Sequence, residues 1–338
     1  MILPTEMQIF DLLYAMAAGE GREQALFGDS FTAAREAYAK TIIENSESEI
    51  YIEFPLKGKP GFDFLTTYSK IPPEARFANG GGYGYQGMTD LFAALPEGHG
   101  CACGLELDIS AGETKQAGVY FQFHKKTELV QVFLESVGRQ DRLKAYLDVL
   151  GRCPQDMLPA YIGLFPAREG APIRIGGYIS PKATTAIGED PTLLKKHFKS
   201  IGFSSFNGEM LNFCSELLRL VPLADFQFDI WPDGSIGDTF GLSLSFNDIK
   251  PRVAVACMET GRGAQVMRLL CEKGLADDRY KRIAGASRAV AFSAEDGNGE
   301  TFPLALIIRL NFAKVKFRAG APCSAKFYYR ASARRIGR

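Results

Sequence analysis

The sequence predicts an α+β protein: a ten-stranded antiparallel β-barrel of five αββα repeats with the helices outside. Three observations predict it. Five pairs of strand-like runs occur along the chain, each pair joined by a turn signal. Helical periodicities sit between the pairs. Each strand alternates an apolar face with one that is polar and aromatic, which suits neither a dry core nor a plain solvated surface. Closing ten strands into a barrel removes the sheet edges and encloses more room than side chains fill.

The elements follow in order. A helical region from Thr5 to about Asn45, broken near Gly19 and Gly28, precedes the hairpin "EIYIEFPL" and "FDFLTTYSKI", with its turn at Gly58 to Gly61. A short helix from Met88 to Leu95 leads to "CGLELDIS" and "KQAGVYFQFHKK". The run "ELVQVFLESVGRQDRLKAYLDVLGRCP" is apolar at three- and four-residue spacing on both sides of Gly138, and "AYIGLFP" and "IRIGGYIS" follow it. Asp190 as N-cap and Pro191 at the first helical position open "DPTLLKKHFKSIGFSSFNGEMLNFCSELLRLVP", ahead of "DFQFDIW" and "DTFGLSLSF". The last helical stretch is "GRGAQVMRLLCEKGLADDRYKRIAGASRAVAF". It precedes the fifth hairpin, "AKVKFRAGAPCSAKFYYR", which "PLALIIRLNF" lengthens upstream. Residues 1–338 read as a single domain of these repeats.

Composition excludes several classes. Lys plus Arg equals Asp plus Glu at 39 each, so no global positive field recruits a nucleic acid. Apolar content of 46% with 25 Phe supports a large core. The seven cysteines are irregularly placed and odd in number. Cys101 and Cys103, two apart on one strand, lack a second pair for zinc, so reduced structural thiols are expected. The N-terminal apolar face carries Glu6 and Asp11 and lacks a basic n-region, which reads as a helix rather than a signal peptide. No apolar run reaches the ~20 residues of a membrane span. A soluble, cytoplasmic protein is expected.

The strand faces divide cleanly. Phe240, Leu242, Leu244 and Phe246 oppose Gly241, Ser243 and Ser245; Phe226, Phe228 and Ile230 oppose Gln227, Asp229 and Trp231; Val119, Phe121 and Phe123 oppose Tyr120, Gln122 and His124. On the polar face, Arg174 and Tyr178 lie four apart on one strand, Lys314, Lys316 and Arg318 alternate on another, and Lys326, Tyr328 and Arg330 on the last. Arg318 and Arg330 are expected near strand ends. The alternatives are an outward solvated face, for which alternating Lys is the usual explanation, and an open sheet whose basic C-terminal hairpin meets a partner.

The element order, together with "GLELDIS...VYFQF" followed by a helix and "YIGLF...IRIGGYIS", resembles the ABBA aromatic prenyltransferases, including the smaller bacterial and peptide-prenylating members. The resemblance covers roughly residues 5 to 330. It implies a PT-barrel that transfers a dimethylallyl-like group from its diphosphate to an electron-rich aromatic, free or in a peptide. It further implies diphosphate binding by Arg174, Lys316 and Lys326 with Lys314 next, a cation shield of Tyr120, Tyr178 and Tyr328, and Glu53 as the proton acceptor, with Tyr51 on the same face. The expected partners are an isoprenyl diphosphate and an aromatic small molecule or peptide, with no nucleic acid and no membrane. No cofactor is required. Glu106 and Asp108, two apart on one strand, give Mg²⁺ a site beside the diphosphate or are simply solvated. The chain departs from the family on its second strand, where many members carry an Arg; here Asp63 and Thr67 stand, with Lys70 near the end. That departure favours a rival reading, a non-catalytic or degenerate barrel that binds a hydrophobic or anionic small molecule. "NGGGYGYQG", residues 79 to 87, lacks the Lys-Ser/Thr of a P-loop and reads as a lid or substrate loop.

Overall fold

Eleven strands form one antiparallel sheet in the computed structural model, which describes residues 21, 26–39, 47–71, 86–96, 98, 100–107, 117–165, 170–246, 254–284, 287–295 and 300–336. The strands are β1 (Glu47–Pro55), β2 (Asp63–Lys70), β3 (Ala102–Leu107), β4 (Gly118–Gln122), β5 (Met157–Leu164), β6 (Ile173–Ile179), β7 (Ala224–Ile230), β8 (Ile236–Ser245), β9 (Arg288–Glu295), β10 (Thr301–Arg318) and β11 (Ala321–Arg335). Ten of them close. β1 to β8 pair in sequence, β8 pairs with β10, β10 with β11, and β11 returns to β1 from Ile50↔Ala331 to Pro55↔Lys326. The expected five-hairpin barrel is therefore present.

The eleventh strand corrects the sequence reading. "RAVAF", expected at the end of a helical stretch, is β9, and it pairs with β10 from Thr301↔Glu295 to Ile308↔Arg288. Its physical cause is the length of the last hairpin. β10 extends well upstream of its barrel pairing with β8, which begins at Phe312. The backbone groups on that exposed edge need partners, and β9 supplies them. The same lengthening carries β11 on to Arg335, so Arg330 lies inside the strand and not near its end.

The described helices are α1 (Phe31–Ala39), α2 (Gln86–Ala94), α3 (Leu129–Ser136), α4 (Leu143–Leu150), α5 (Pro181–Glu189), α6 (Thr192–Ile201), α7 (Gly208–Leu220), α8 (Ala254–Thr260), α9 (Arg262–Glu272) and α10 (Arg279–Ala284). None is long and apolar enough to cross a membrane. The proposed helix start near Thr5 and most of the 79–87 loop lie outside the described residues. Helix α5 escaped the sequence reading although its signals were present. Ser180 caps it by accepting from the Ala183 amide at 3.2 Å, and Pro181 fills the first turn. Pro191, not Asp190, takes the cap position of α6, while the Asp190 carboxylate accepts from the Thr192 amide at 2.9 Å.

The apolar strand faces look outward onto the helices. Helix α7 shows how. Asn207 caps it through the Met210 amide at 2.9 Å, and its buried Met210, Phe213, Cys214, Leu217 and Leu218 lie on the barrel wall. There Phe213 meets Phe317 edge-on at 6.0 Å. Each such side chain removed from water contributes about 1.5–3 kcal/mol. Arg279 of α10 fixes the turn between β1 and β2. Its buried guanidinium donates to the carbonyls of Pro55, Lys59, Leu26 and Gly61 at 2.7 to 3.2 Å. That anchor sets Asp63, two residues beyond Gly61, at the start of β2.

Candidate active site

The polar strand faces look inward, and glycines keep the interior open. A Cβ on Gly163 would lie 2.7 Å from the Tyr120 ring, and one on Gly176 would lie 2.0 Å from the Tyr161 ring. Each aromatic ring thus occupies the space that a side chain at the glycine would need.

Two cavities share this interior. One of about 620 Å³ lies toward the hairpin turns and is lined by Arg174, Asp229, Trp231, Asp238, Lys316, Arg318 and Lys326 among others. The other, about 250 Å³, lies toward the ends that connect to the helices; it is lined by Tyr51, Tyr120, Tyr161, Tyr178, Phe312, His124 and Asp225 among others. Glu53, Glu106, Gln227, Lys314 and Tyr328 line both. A basic compartment and an aromatic compartment therefore meet at a belt that includes two carboxylates and one lysine.

Charges in and around that belt are arranged in pairs. Arg174 holds Asp229 with two bonds, Nε to Oδ1 at 2.8 Å and Nη2 to Oδ2 at 3.2 Å. Its Nη1 donates to the Tyr120 hydroxyl at 3.3 Å, and Tyr120 donates to Glu106 Oε2 at 2.5 Å. The guanidinium also lies 4.4 Å over the Phe165 ring. Lys326 donates to Asp63 Oδ2 at 2.7 Å and to Glu53 Oε2 at 3.1 Å. These two carboxylates hold its ammonium above the ordinary range, against the opposing effect of burial.

Two groups here have protonation equilibria shifted by burial. Glu53 is buried, and its second oxygen, Oε1, has no hydrogen-bond partner. Burial raises its pKa, only partly offset by Lys326. Lys314 donates to the Tyr328 hydroxyl at 3.4 Å. Burial, and next the neighbouring Arg174 charge, bring its ammonium down to about 7. Tyr328 stacks on Phe312 at 4.2 Å between centroids, and burial with the Glu53 and Glu106 carboxylates keeps its hydroxyl protonated.

Of the residues expected from sequence, Glu53, Glu106, Tyr120, Arg174, Lys314, Lys316, Lys326 and Tyr328 all line the interior. Tyr178 is at the mouth, 48% exposed, beside exposed Leu158 and Leu223. Asp108 lies outside the described residues. No group of three or more His, Cys, Asp and Glu stands ready for a metal among those described. Sequence reasoning missed Asp63, Asp225, Asp229 and Tyr161 as parts of the site. Alternation marks Asp229 and Tyr161 as inward, but which cation each anion meets depends on strand register.

These features define the ABBA, or PT-barrel, class of fold. The chain aligns with 5-dimethylallyltryptophan synthase from Streptomyces coelicolor over 97% of both chains, with a TM-score of 0.52 and 11% identity. The complex of that enzyme with DMASPP and Trp aligns at 0.54 and 11% identity, over 98% of this chain and 96% of that one. AnaPT from Neosartorya fischeri aligns at 0.50 and 9% identity, over 97% of this chain and 91% of its own. No protein-family model matches the chain, and no curated protein sequence is significantly similar to it. The likeness is one of fold.

Proposed function

We propose that the protein transfers a prenyl group from an isoprenyl diphosphate to an electron-rich aromatic. The observation that carries this is the junction of a basic and an aromatic compartment at Glu53, a buried carboxylate with one unpartnered oxygen. One structure of the same fold holds DMASPP and Trp together, which supports the pairing of ligands.

In this reading the diphosphate sits among Arg174, Lys314, Lys316, Lys326 and Arg318. The allylic C–O bond breaks with its electron pair leaving on the diphosphate, and the fixed cations stabilise that charge in a poorly solvated chamber. Tyr120, Tyr161 and Tyr328 face the allyl cation and exclude water from it. Tyr178, expected as part of that shield, is assigned to the acceptor's entrance because of its exposure. The ring carbon then bonds to the allyl carbon, and its proton passes to Glu53 Oε1. The aromatic compartment is smaller than the ~300–1,000 Å³ typical of drug-sized ligands. The acceptor's ring enters it, and the rest of a larger molecule, such as a peptide, crosses the exposed rim of Leu158, Tyr178 and Leu223. Residues of the chain supply the positive charge; a magnesium role for Glu106 is not part of this reading, because Tyr120 already occupies one of its oxygens.

A rival reading, binding without turnover, draws on Asp63, which pairs with Lys326 from the second strand, the strand on which the family resemblance leads one to expect an Arg. Phosphate release from dimethylallyl diphosphate, measured after pyrophosphatase treatment, separates the two. Transfer predicts release that depends on an added indole or phenol. Release at the no-enzyme rate with every acceptor, alongside measurable diphosphate binding, would establish the rival.

A further inference from the structure

We propose that Asp225 selects an acceptor carrying a protonated amine beside its aromatic ring, and that it pairs with that amine inside the aromatic compartment. The inference rests on the prenyl-transfer reading and specifies the acceptor. Asp225 stands on β7, across from Tyr178 on β6 and Ser243 on β8, and lines the aromatic cavity. The other carboxylates of the interior each hold at least one partner: Asp63 and Glu53 share Lys326, Asp229 holds Arg174, Glu106 accepts from Tyr120, and Asp238 accepts from Thr239. Among the described residues Asp225 has neither a hydrogen bond nor an ion pair.

Asp225 is half-buried, and a carboxylate partly withdrawn from water without a partner carries a cost that an incoming cation would offset. Its cost shows in the carboxyl, which burial pushes up to about 7 against the opposing charge of Lys314. Tyr161 and Tyr178, whose hydroxyls feel its charge, supply aromatic surface beside it. A carboxylate bordered by aromatic rings is the chemistry that recognises an organic ammonium. Asp225 also lies on the side of the cavity continuous with the exposed rim, so an amine on a tether a few bonds from the ring would reach it while the ring lies over the belt.

The test is titration calorimetry on the full chain with dimethylallyl thiolodiphosphate present, using tryptamine, 3-methylindole and indole-3-propionate. Tryptamine is expected to bind about tenfold or more tightly than 3-methylindole, the size of a charge-assisted hydrogen bond. Indole-3-propionate is expected to bind more weakly than either. In Asp225→Asn the preference for tryptamine falls to near unity while 3-methylindole still binds. Equal binding of the three by the wild type, no binding of any, or a preference that persists in Asp225→Asn would each overturn the inference. If the tryptamine preference holds but no prenyl transfer occurs, the inference stands as a binding site and the catalytic reading fails.

Discussion

Glu53→Gln is expected to lower kcat for prenyl transfer by about 10²- to 10⁴-fold, the range contributed by a positioned proton acceptor. KM for both substrates changes much less. The amide keeps the shape of the carboxyl and can still accept from Lys326, so the chamber's geometry survives. What is lost is the capacity of Oε1 to take a proton from the ring carbon after attack. A steady-state comparison, with substrate affinities measured separately, checks this. If kcat is unchanged, the ring proton leaves by another route and Glu53 serves only to hold Lys326. Because burial raises Glu53's pKa, the carboxylate is a stronger base than an exposed one, which suits a proton held by a cationic ring intermediate.

Arg174→Met carries the second large effect, and it falls on stability and activity together. The substitution leaves Asp229 in the barrel without its two-pronged partner. Breaking a buried pair in this way costs about 3–5 kcal/mol. Adding Asp229→Leu removes the stranded charge and is expected to restore most of the lost stability, read by urea denaturation. Transfer activity is not expected to return, because the guanidinium that would face the diphosphate, and that positions the Tyr120 hydroxyl, is still missing. Recovery of both stability and turnover in the double variant would show that Arg174 is only a structural partner of Asp229.

Much of this architecture is written locally in the chain. Strand alternation is a nearest-neighbour property, so Phe226/Phe228 against Gln227/Asp229 divides outside from inside without any knowledge of tertiary structure. The hairpins around Pro60, Gly170, Gly234 and Gly320 announce themselves by their turn residues for the same reason. Where the reading went astray, the cause was context. "RAVAF" lacks strong strand signals and becomes a strand only because the overlong β10 leaves an edge to cover. Helix α5 has its Ser-Pro start, but its nine residues fall between a strand and a helix with stronger signals and were assigned to neither.

The site shows the same boundary. Lys314, Lys316, Lys326, Arg174 and Glu53 are legible as inward residues because inwardness follows from alternation. Their partners are not legible. Lys326 meets Glu53 and Asp63 across sequence distances of 273 and 263 residues, a relation that only barrel closure creates. The second-strand Asp63 looked from sequence like the loss of a clamp. In the fold it is the counter-charge that fixes Lys326 and thereby orients Glu53.

The central claim is that the basic compartment receives a diphosphate, and titration calorimetry with dimethylallyl thiolodiphosphate at pH 8 and pH 9 tests it most directly. Lys314, whose ammonium burial brings down to about 7, is largely neutral at both values before the ligand arrives. An incoming anion favours the charged amine and raises its pKa, so binding takes up a proton. Above the unbound pKa the affinity therefore falls as pH rises, by up to about tenfold per unit. Lys314→Met is expected to flatten that slope, and Lys316→Ala to weaken binding at both pH values. Heats in buffers of different ionisation enthalpy count the protons: the account predicts uptake approaching one per diphosphate bound. No binding at either pH, or binding that is unaffected by Lys316→Ala and takes up no proton, would contradict it.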